Sequence, residues 1–189
     1  QKKRFSTAAS ILNDGLKLKK LATQNLASLG KKVIYHASQS MPHTSSGYAI
    51  RTHGIASSLN SKGYDVDVIL RNGYPLDRSD FTGVSVNFVE EVENVSYHFS
   101  HIDSNDSNLI NYQEVYNFNK LKEYQNQAIN SLISNAKKMK PIAIHSASNF
   151  VVGLAGARAA KALGIPSIYE IRGFWHLTQS TKREGYEGS

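Results

Sequence analysis

The sequence predicts an α/β fold in which helices cover both faces of a parallel sheet. From residue 32 onward, short apolar runs alternate with longer amphipathic stretches, and glycines end several of those stretches. Strands alternating with helices form parallel sheets, because each helix returns the chain to the start of the next strand. With 189 residues, 40% of them hydrophobic, the chain is neither disordered nor fibrous and suffices for one domain and an arm.

The first predicted unit is a strand, a helix and a second strand. Residues 33–37 are an apolar run, and polar or small residues follow it through Gly47. Residues 48–62 carry apolar side chains at helical spacing and end at Gly63, and residues 66–70 form the next apolar run. A unit this short predicts a right-handed crossover between two parallel strands.

The signals weaken after residue 70 and then return. Gly73-Tyr74-Pro75 indicates a turn, residues 84–89 and 95–99 read as strands, and residues 100–111 form a polar, variable loop. The later elements are a helix over 118–139, a strand over 142–145, a helix over 150–163 and a strand over 167–171. Gly153 and Gly156 lie within the second of these helices, where we expect close packing of the helix on the sheet.

The positive charge of the chain belongs to its first residues. The formal net charge is +7, and residues 1–32 supply all of it, with eight basic residues against Asp14. We therefore divide the chain into a basic helical arm over residues 1–31 and a Rossmann-like domain over 32–189. There are three alternatives for the arm: a helix packed on the domain or on a neighbouring segment, a membrane-surface helix, and an arm that binds nucleic acid. The packed helix is favoured.

Several classes of site are excluded or disfavoured by what the sequence lacks. Without cysteine there is no disulfide, thiol nucleophile or thiolate metal site, and the seven histidines form no zinc-binding pair, so we expect no metal. Neither the glycine pattern of dinucleotide-binding strands nor a P-loop is present. No apolar run approaches the roughly 20 residues of a membrane span, so we expect a cytoplasmic protein, with the arm as an alternative contact to the inner membrane face.

Candidate site residues lie where the predicted strands end. Open parallel sheets bind ligands beyond the carboxyl ends of their strands. Three such ends carry polar, small and aromatic side chains: residues 36–47, 145–149 and 170–175. We expect a sugar or phosphate site to be built from these loops.

The first two loops supply binding candidates. Ser46, Gly47 and Tyr48 open a helix, so the backbone can approach an anion there, although a glycine at such a turn is also common for steric reasons alone. His36 and His145 each end a predicted strand, and Ser146 follows. For the two histidines a buried structural role and substrate contact both stay open.

The third loop is the densest cluster, Glu170-Ile171-Arg172-Gly173-Phe174-Trp175. Glu170 and Arg172 flank Ile171 and should therefore point to the same side of the strand. They can form a structural ion pair with the aromatics in the core, or act on a substrate. Carbohydrate sites favour such groups, because charged planar side chains bind hydroxyls and an indole face covers sugar C–H edges.

In their order along the chain, these features resemble the N-terminal domain of glycosyltransferase family four. The resemblance is carried by Lys32-Val33-Ile34-Tyr35-His36, by the run from Ser46 to Ile55, by Ile144-His145-Ser146-Ala147-Ser148 and by the run from Ala160 to Trp175. It spans residues 32–189 and implies the N-terminal half of a GT-B fold.

The resemblance also implies a function. Members of that family are retaining, metal-independent transferases that move a sugar from a nucleotide-sugar donor to a glycan or lipid-linked acceptor, here by analogy in polysaccharide biosynthesis. By the resemblance, Ser46 and Gly47 would face the donor. From their places at the strand ends we expect Tyr48 beside them, further substrate contacts at His36, His145, Ser146, Gly173 and Trp175, and catalytic roles for Glu170 and Arg172. Arg172-Gly173 stands where the family usually has a His-Asp-type motif.

Two alternatives belong to other classes. A non-catalytic flavodoxin-like binding or regulatory module fits the same alternation of strands and helices, whereas a nucleotide-sugar epimerase or dehydrogenase is disfavoured by the missing glycine pattern. The resemblance implies that the donor-binding domain follows Ser189, so we expect this fragment alone to be inactive. We expect the transfer reaction to require no cofactor, because the nucleotide sugar is a substrate.

Overall fold

The computed structural model describes residues 30–100, 105, 107, 112–116 and 118–173. Its strands are β1 (Lys32–Ala37), β2 (Asp65–Leu70), β3 (Val89–Val92), β4 (Val95–His98), β5 (Ala143–Ala147) and β6 (Ser167–Glu170). The helices are α1 (Gly47–Ser61), α2 (Phe118–Met139) and α3 (Phe150–Leu163), with a 3₁₀ helix at Tyr112–Tyr116. Apart from Gly30 and Lys31, the predicted arm lies outside the described residues.

The six strands form one sheet in the order β3-β4-β2-β1-β5-β6. Every neighbouring pair is parallel except β3 and β4, which are antiparallel. The central strand β1 pairs with β2 on one side and β5 on the other, and its side chains from Val33 to Ala37 are buried. The predicted α/β fold class, Rossmann-like with a largely parallel sheet, is confirmed.

Side chains alternate between two cores on opposite faces of the sheet. Ile34, Ile69 and Ile144 face α2 and α3, whereas Tyr35, Val68 and Tyr97 face α1. Both faces of the sheet are therefore covered by helices, as the alternation of elements predicts. Because β1, β5 and β6 are parallel neighbours, their carboxyl ends lie side by side at the same end of the sheet.

Most observed bounds lie within one residue of the sequence-based expectations, and the larger differences concern the third and fifth strands. The strand expected over residues 84–89 forms instead at Val89–Val92, because it pairs with β4 across a tight turn in which Glu93 has φ of 53°. Val84 is 72% exposed, so its side chain does not belong to the core. The strand β5 continues through Ala147, and β6 ends at Glu170, one residue earlier than expected.

The alanine-rich helix α3 packs on the sheet through its glycines, as expected. A Cβ atom added to Gly156 would lie 1.9 Å from the Ser146 Oγ atom, and one added to Gly153 would lie 2.3 Å from the Tyr169 ring. Gly164 ends the helix in the left-handed region at φ 73°. The absence of Cβ atoms at Gly153 and Gly156 therefore lets α3 lie close to β5 and β6.

A buried ion pair fixes the loop that follows β2. Arg71 donates to both carboxylate oxygens of Asp77, and the Nη2–Oδ1 distance is 2.9 Å. Asp77 Oδ2 also accepts from the Tyr112 amide at 3.1 Å, and the Tyr112 hydroxyl donates to Asn149 Oδ1 at 2.8 Å. Because Asn149 caps α3, this network ties the β2 loop to the start of that helix.

Candidate functional site

Glu170 and Arg172 form the ion pair that the sequence left open as one of two alternatives. The Arg172 Nη2 atom lies 3.0 Å from Glu170 Oε2, so both side chains point to the same side of the sheet. The side chains of Glu170 and Arg172 are 13% and 6% exposed. The pair is therefore largely desolvated, and removal of either side chain would leave the other as an uncompensated buried charge.

Arg172 binds the end of β6 to the first turns of α1. Its Nη1 atom donates to the Tyr48 carbonyl at 2.9 Å and to the Thr52 Oγ1 atom at 2.8 Å, and its Nη2 atom donates to the Tyr35 hydroxyl. The guanidinium carbon lies 4.3 Å from the centre of the Tyr48 ring. Arg172 thus positions the helix start through hydrogen bonds and a cation–π contact.

Glu170 is surrounded by donors. Its Oε2 atom accepts from the Tyr35 hydroxyl at 2.6 Å and lies 3.5 Å from His145 Nε2, while Arg51 Nη2 lies 2.8 Å from Oε1. Burial acts to raise the pKa of Glu170. Hydrogen bonds from Arg172 and Tyr35 and the charges of both arginines outweigh burial and hold that pKa below its usual value. The carboxylate is therefore ionised at neutral pH.

Tyr35 and His145 stack beneath the carboxylate. Their ring centres are 4.3 Å apart and their planes differ by 13°. Burial lowers the pKa of His145, and the nearby Glu170 opposes that shift without reversing it. Burial and the hydrogen bond to Glu170 raise the pKa of Tyr35. At neutral pH both rings are uncharged, so the cluster contains one carboxylate and two guanidinium groups.

The predicted glycine loop opens α1. The Ser46 Oγ atom accepts from the Ala49 amide at 3.3 Å and from Gln39 Nε2 at 3.2 Å, which makes Ser46 the cap of the helix. Gly47 is exposed, and a Cβ atom added there would meet nothing within 4 Å. No acidic residue stands in the first turn. The first turn therefore places no carboxylate of its own at the positive end of the helix dipole.

His36 and Ser146 lie away from this cluster. Both are inside strands, as is His145, contrary to the expectation that His36 and His145 end their strands and that Ser146 lies in a loop. His36 is buried, its Nδ1 atom lies 2.9 Å from the Ile69 carbonyl oxygen, and burial lowers its pKa to about 4. Ser146 lies under α3 beside Gly156. Substrate contact by either residue stays a prediction.

The remaining candidates are at the end of the described chain. Gly173 is exposed and has open space around it, and Trp175 lies outside the described residues. Among the residues that the structure describes, no group of three or more His, Asp or Glu side chains is arranged to hold a metal ion. In the same part of the chain, no helix is long and apolar enough to cross a membrane.

The structure brings four of the predicted residues together: Tyr48, His145, Glu170 and Arg172. It adds Tyr35, Arg51 and Thr52, which the sequence analysis did not select as site residues. Tyr35 reads as a core residue in an apolar run, and Arg51 and Thr52 read as ordinary positions of an amphipathic helix. The sequence offered one indication for Arg51. It lies one helical turn after Gly47, and therefore on the same face of the helix as the predicted glycine loop.

A search of solved structures gave matches at low sequence identity. Sucrose-phosphate synthase from Thermosynechococcus elongatus matches 82% of this chain at 14% identity with a TM-score of 0.56. The chain spans 36% of that protein. The chain therefore has the fold of the matched part of that protein. At this identity the similarity concerns the fold, and it agrees with the parallel sheet described above.

Two further matches have lower TM-scores. The C-terminal domain of a hydrogenase from Pyrococcus furiosus matches at 12% identity with a TM-score of 0.48, covering 80% of this chain and 96% of that domain. UGT2 from Phytolacca americana, complexed with UDP-2fluoro-glucose and pterostilbene, matches at 17% identity with a TM-score of 0.42, covering 75% of this chain and 30% of that one. A scan against protein-family models and a search of curated proteins gave no match.

Proposed function

We propose that the described domain is the acceptor-side half of a family-four-like glycosyltransferase. The enzyme moves a sugar from a nucleotide-sugar donor to a glycan or lipid-linked acceptor, with retention of configuration and without a metal ion. The proposal extends the resemblance of residues 32–189 to that family, and the glycosyltransferase-like fold supports it. Its donor-binding half would lie in another domain of the protein.

One observation carries the proposal. A desolvated carboxylate–guanidinium pair at the carboxyl end of β6 is bonded directly to the first turns of α1, whose amide end is exposed and lacks an acidic residue. Helix amides attract phosphate, and a buried carboxylate accepts hydroxyl hydrogens. A sugar phosphate offers partners to both kinds of group, and the contacts of Arg172 with α1 and with Glu170 support a shared site for them at the carboxyl ends of the strands.

The chemistry divides between the residues as follows. The exposed turn at Ser46 and Gly47 faces the donor diphosphate, and Glu170 accepts a hydrogen bond from a hydroxyl of the acceptor or donor sugar. Arg172 keeps Glu170 ionised and fixes it relative to α1. Such positioning lowers the barrier because the reacting groups are held before the reaction begins. Cations for the departing diphosphate are expected on the donor-binding domain.

The test is sugar transfer by the full-length protein. A panel of UDP-, GDP-, ADP- and TDP-sugars is incubated with lipid-linked and free glycan acceptors, with and without EDTA, and the anomeric configuration of the product is determined by NMR. We expect transfer with one donor class, retention, and no loss with EDTA. The 189-residue chain alone should transfer nothing. A folded full-length protein that neither binds nor transfers any sugar nucleotide would favour the flavodoxin-like module instead.

The basic arm adds a separate proposal about location. If residues 1–31 form a membrane-surface helix, binding to vesicles that contain anionic lipids should weaken with salt, since each lysine near such a surface contributes about 1 kcal/mol. Sedimentation of vesicles with the intact protein and with a variant lacking residues 1–30 measures this. Equal binding by the two proteins would favour a helix that packs on the domain.

A further inference from the structure

Arg51 is the exposed cation of the Glu170 cluster. Its side chain is 54% exposed, against 6% for Arg172. Arg172 uses its two terminal nitrogens on four protein acceptors. Arg51 is paired with one oxygen of Glu170 at 2.8 Å, and that Oε1 atom has no partner with hydrogen-bond geometry. The contact of Arg51 is therefore the weaker of the two and the one open to solvent.

The cluster carries more positive charge than it can compensate. Glu170 is the single carboxylate shared by the two guanidinium groups, and Tyr35 and Arg172 already occupy its Oε2 atom. The neutral ring of His145 adds no negative charge. This excess of positive charge is suited to an anionic ligand.

The position of Arg51 brings its side chain toward the exposed end of the helix. Gly47 and Arg51 are four residues apart and lie on the same face of α1. Side chains in a helix tilt toward its N-terminus, so a long arginine at this position extends back over the first turn. An anion near the free amides of that turn lies within reach of the guanidinium group.

We propose that Arg51 leaves Glu170 and binds a phosphate group of the substrate. This assignment rests on the proposed transferase function and adds a residue to its site. Guanidinium groups bind phosphate through two parallel hydrogen bonds, which is a better arrangement than the present contact with Oε1. Glu170 stays compensated by Arg172 and Tyr35, and its Oε1 atom becomes available to a hydroxyl. The phosphate is that of the nucleotide donor or of a phosphorylated acceptor.

Calorimetric titration of the full-length protein tests the assignment and separates the two sources. UDP, GDP, ADP and TDP probe the donor, glycerol 3-phosphate and glucose 1-phosphate probe an acceptor, and inorganic diphosphate probes the shared anion. We expect Arg51→Gln to weaken binding of the phosphate compound that the wild type prefers by about tenfold or more, because a charged hydrogen bond is lost. Arg51→Lys should retain part of the affinity, since it keeps the charge and loses the fork.

Lys62→Gln is the matched control. It removes one positive charge from an exposed residue that caps the other end of α1, about 16 Å along the helix. Equal weakening by Lys62→Gln would show a general charge effect and overturn the assignment. Binding unchanged by Arg51→Gln, no binding of any probe by the wild type, or a lowered melting temperature with unchanged affinity would each also overturn it.

The outcome is separable from that of the transferase proposal. If the wild type binds phosphate compounds through Arg51 but transfers no sugar, the function proposed above fails and the phosphate site stands. If the wild type transfers sugar and Arg51→Gln does so with unchanged kcat and KM, the assignment of Arg51 fails alone.

Discussion

The Tyr35 hydroxyl donates a hydrogen bond of 2.6 Å to Glu170 Oε2, joining residues that are 135 positions apart in the sequence. Tyr35 lies on the central strand β1, and Glu170 is the last residue of the edge strand β6. His145 on β5 stacks on the tyrosine ring between them. The site is therefore built across three adjacent strands, and its carboxylate depends on a side chain of the core.

Replacing Tyr35 with phenylalanine should destabilise the protein by about 1–3 kcal/mol, because a largely buried carboxylate loses a hydrogen-bond donor. Urea denaturation with an unchanged m-value measures the loss. Tyr64→Phe is the control, since Tyr64 is 42% exposed and its ring contact with Lys31 survives the change. Equal stability of Tyr35→Phe and the wild type would show that Glu170 does not need this donor.

Arg172→Lys should reduce both stability and turnover. Lysine keeps the charge but cannot serve Tyr48, Thr52 and Glu170 together, so the start of α1 loses its attachment to β6. We expect a lower melting temperature and a loss of kcat/KM of roughly tenfold or more. Arg78→Lys is the control, because Arg78 makes a similar two-point contact with the exposed Asp80. Lowered melting with unchanged kinetics would limit Arg172 to a structural role.

Gly47→Val should leave stability nearly unchanged and cut turnover. A Cβ atom at Gly47 meets nothing within 4 Å, so any effect on turnover must come from a ligand that approaches the backbone there. Gly54→Val, at a second open position of α1, is the matched control for helix propensity. Thermal melting and steady-state kinetics are compared for the two variants. Normal turnover of Gly47→Val would remove this loop from the site.

Gly156→Ala should destabilise the protein by about 1–3 kcal/mol through overpacking, because its Cβ atom would lie 1.9 Å from Ser146 Oγ. The double variant Gly156→Ala with Ser146→Ala should recover part of the loss, since the clashing oxygen is gone. Chemical denaturation of the single and double variants measures the coupling. A single variant as stable as the wild type would mean that α3 shifts away from the sheet at little cost.

His36 should make folding sensitive to mild acid. Its pKa falls from 6.5 to about 4 in the folded state because the ring is buried, so the unfolded chain binds the proton more readily. Stability is therefore lost as pH falls from neutrality through 6.5 toward 4. The loss from this residue is about 2 kcal/mol at pH 5. The difference in stability between the wild type and His36→Gln, measured by denaturation at pH 7 and 5, should shrink toward pH 5. A difference independent of pH would contradict the assignment.

The sequence by itself determined the order and the approximate bounds of most elements. Apolar runs and helical spacing predict β1, β2, α1, α2 and α3, because burial of one face imposes those periods on the chain. The end of α3 at Gly164 is local as well, since a glycine in the left-handed region closes the helix through its own backbone neighbours. The side of the strand shared by Glu170 and Arg172 follows from alternation alone.

Only the tertiary structure decided which residues meet. The bond from Tyr35 to Glu170, the approach of Arg51 to the same carboxylate and the attachment of Arg172 to α1 depend on strand order, and strand order arises from packing between distant segments. The strand expected over residues 84–89 was wrong for a similar reason, because pairing with β4 at an edge fixes its place at Val89–Val92. His36 and His145 look alike in sequence, but they lie on opposite faces of the sheet and only His145 reaches the cluster.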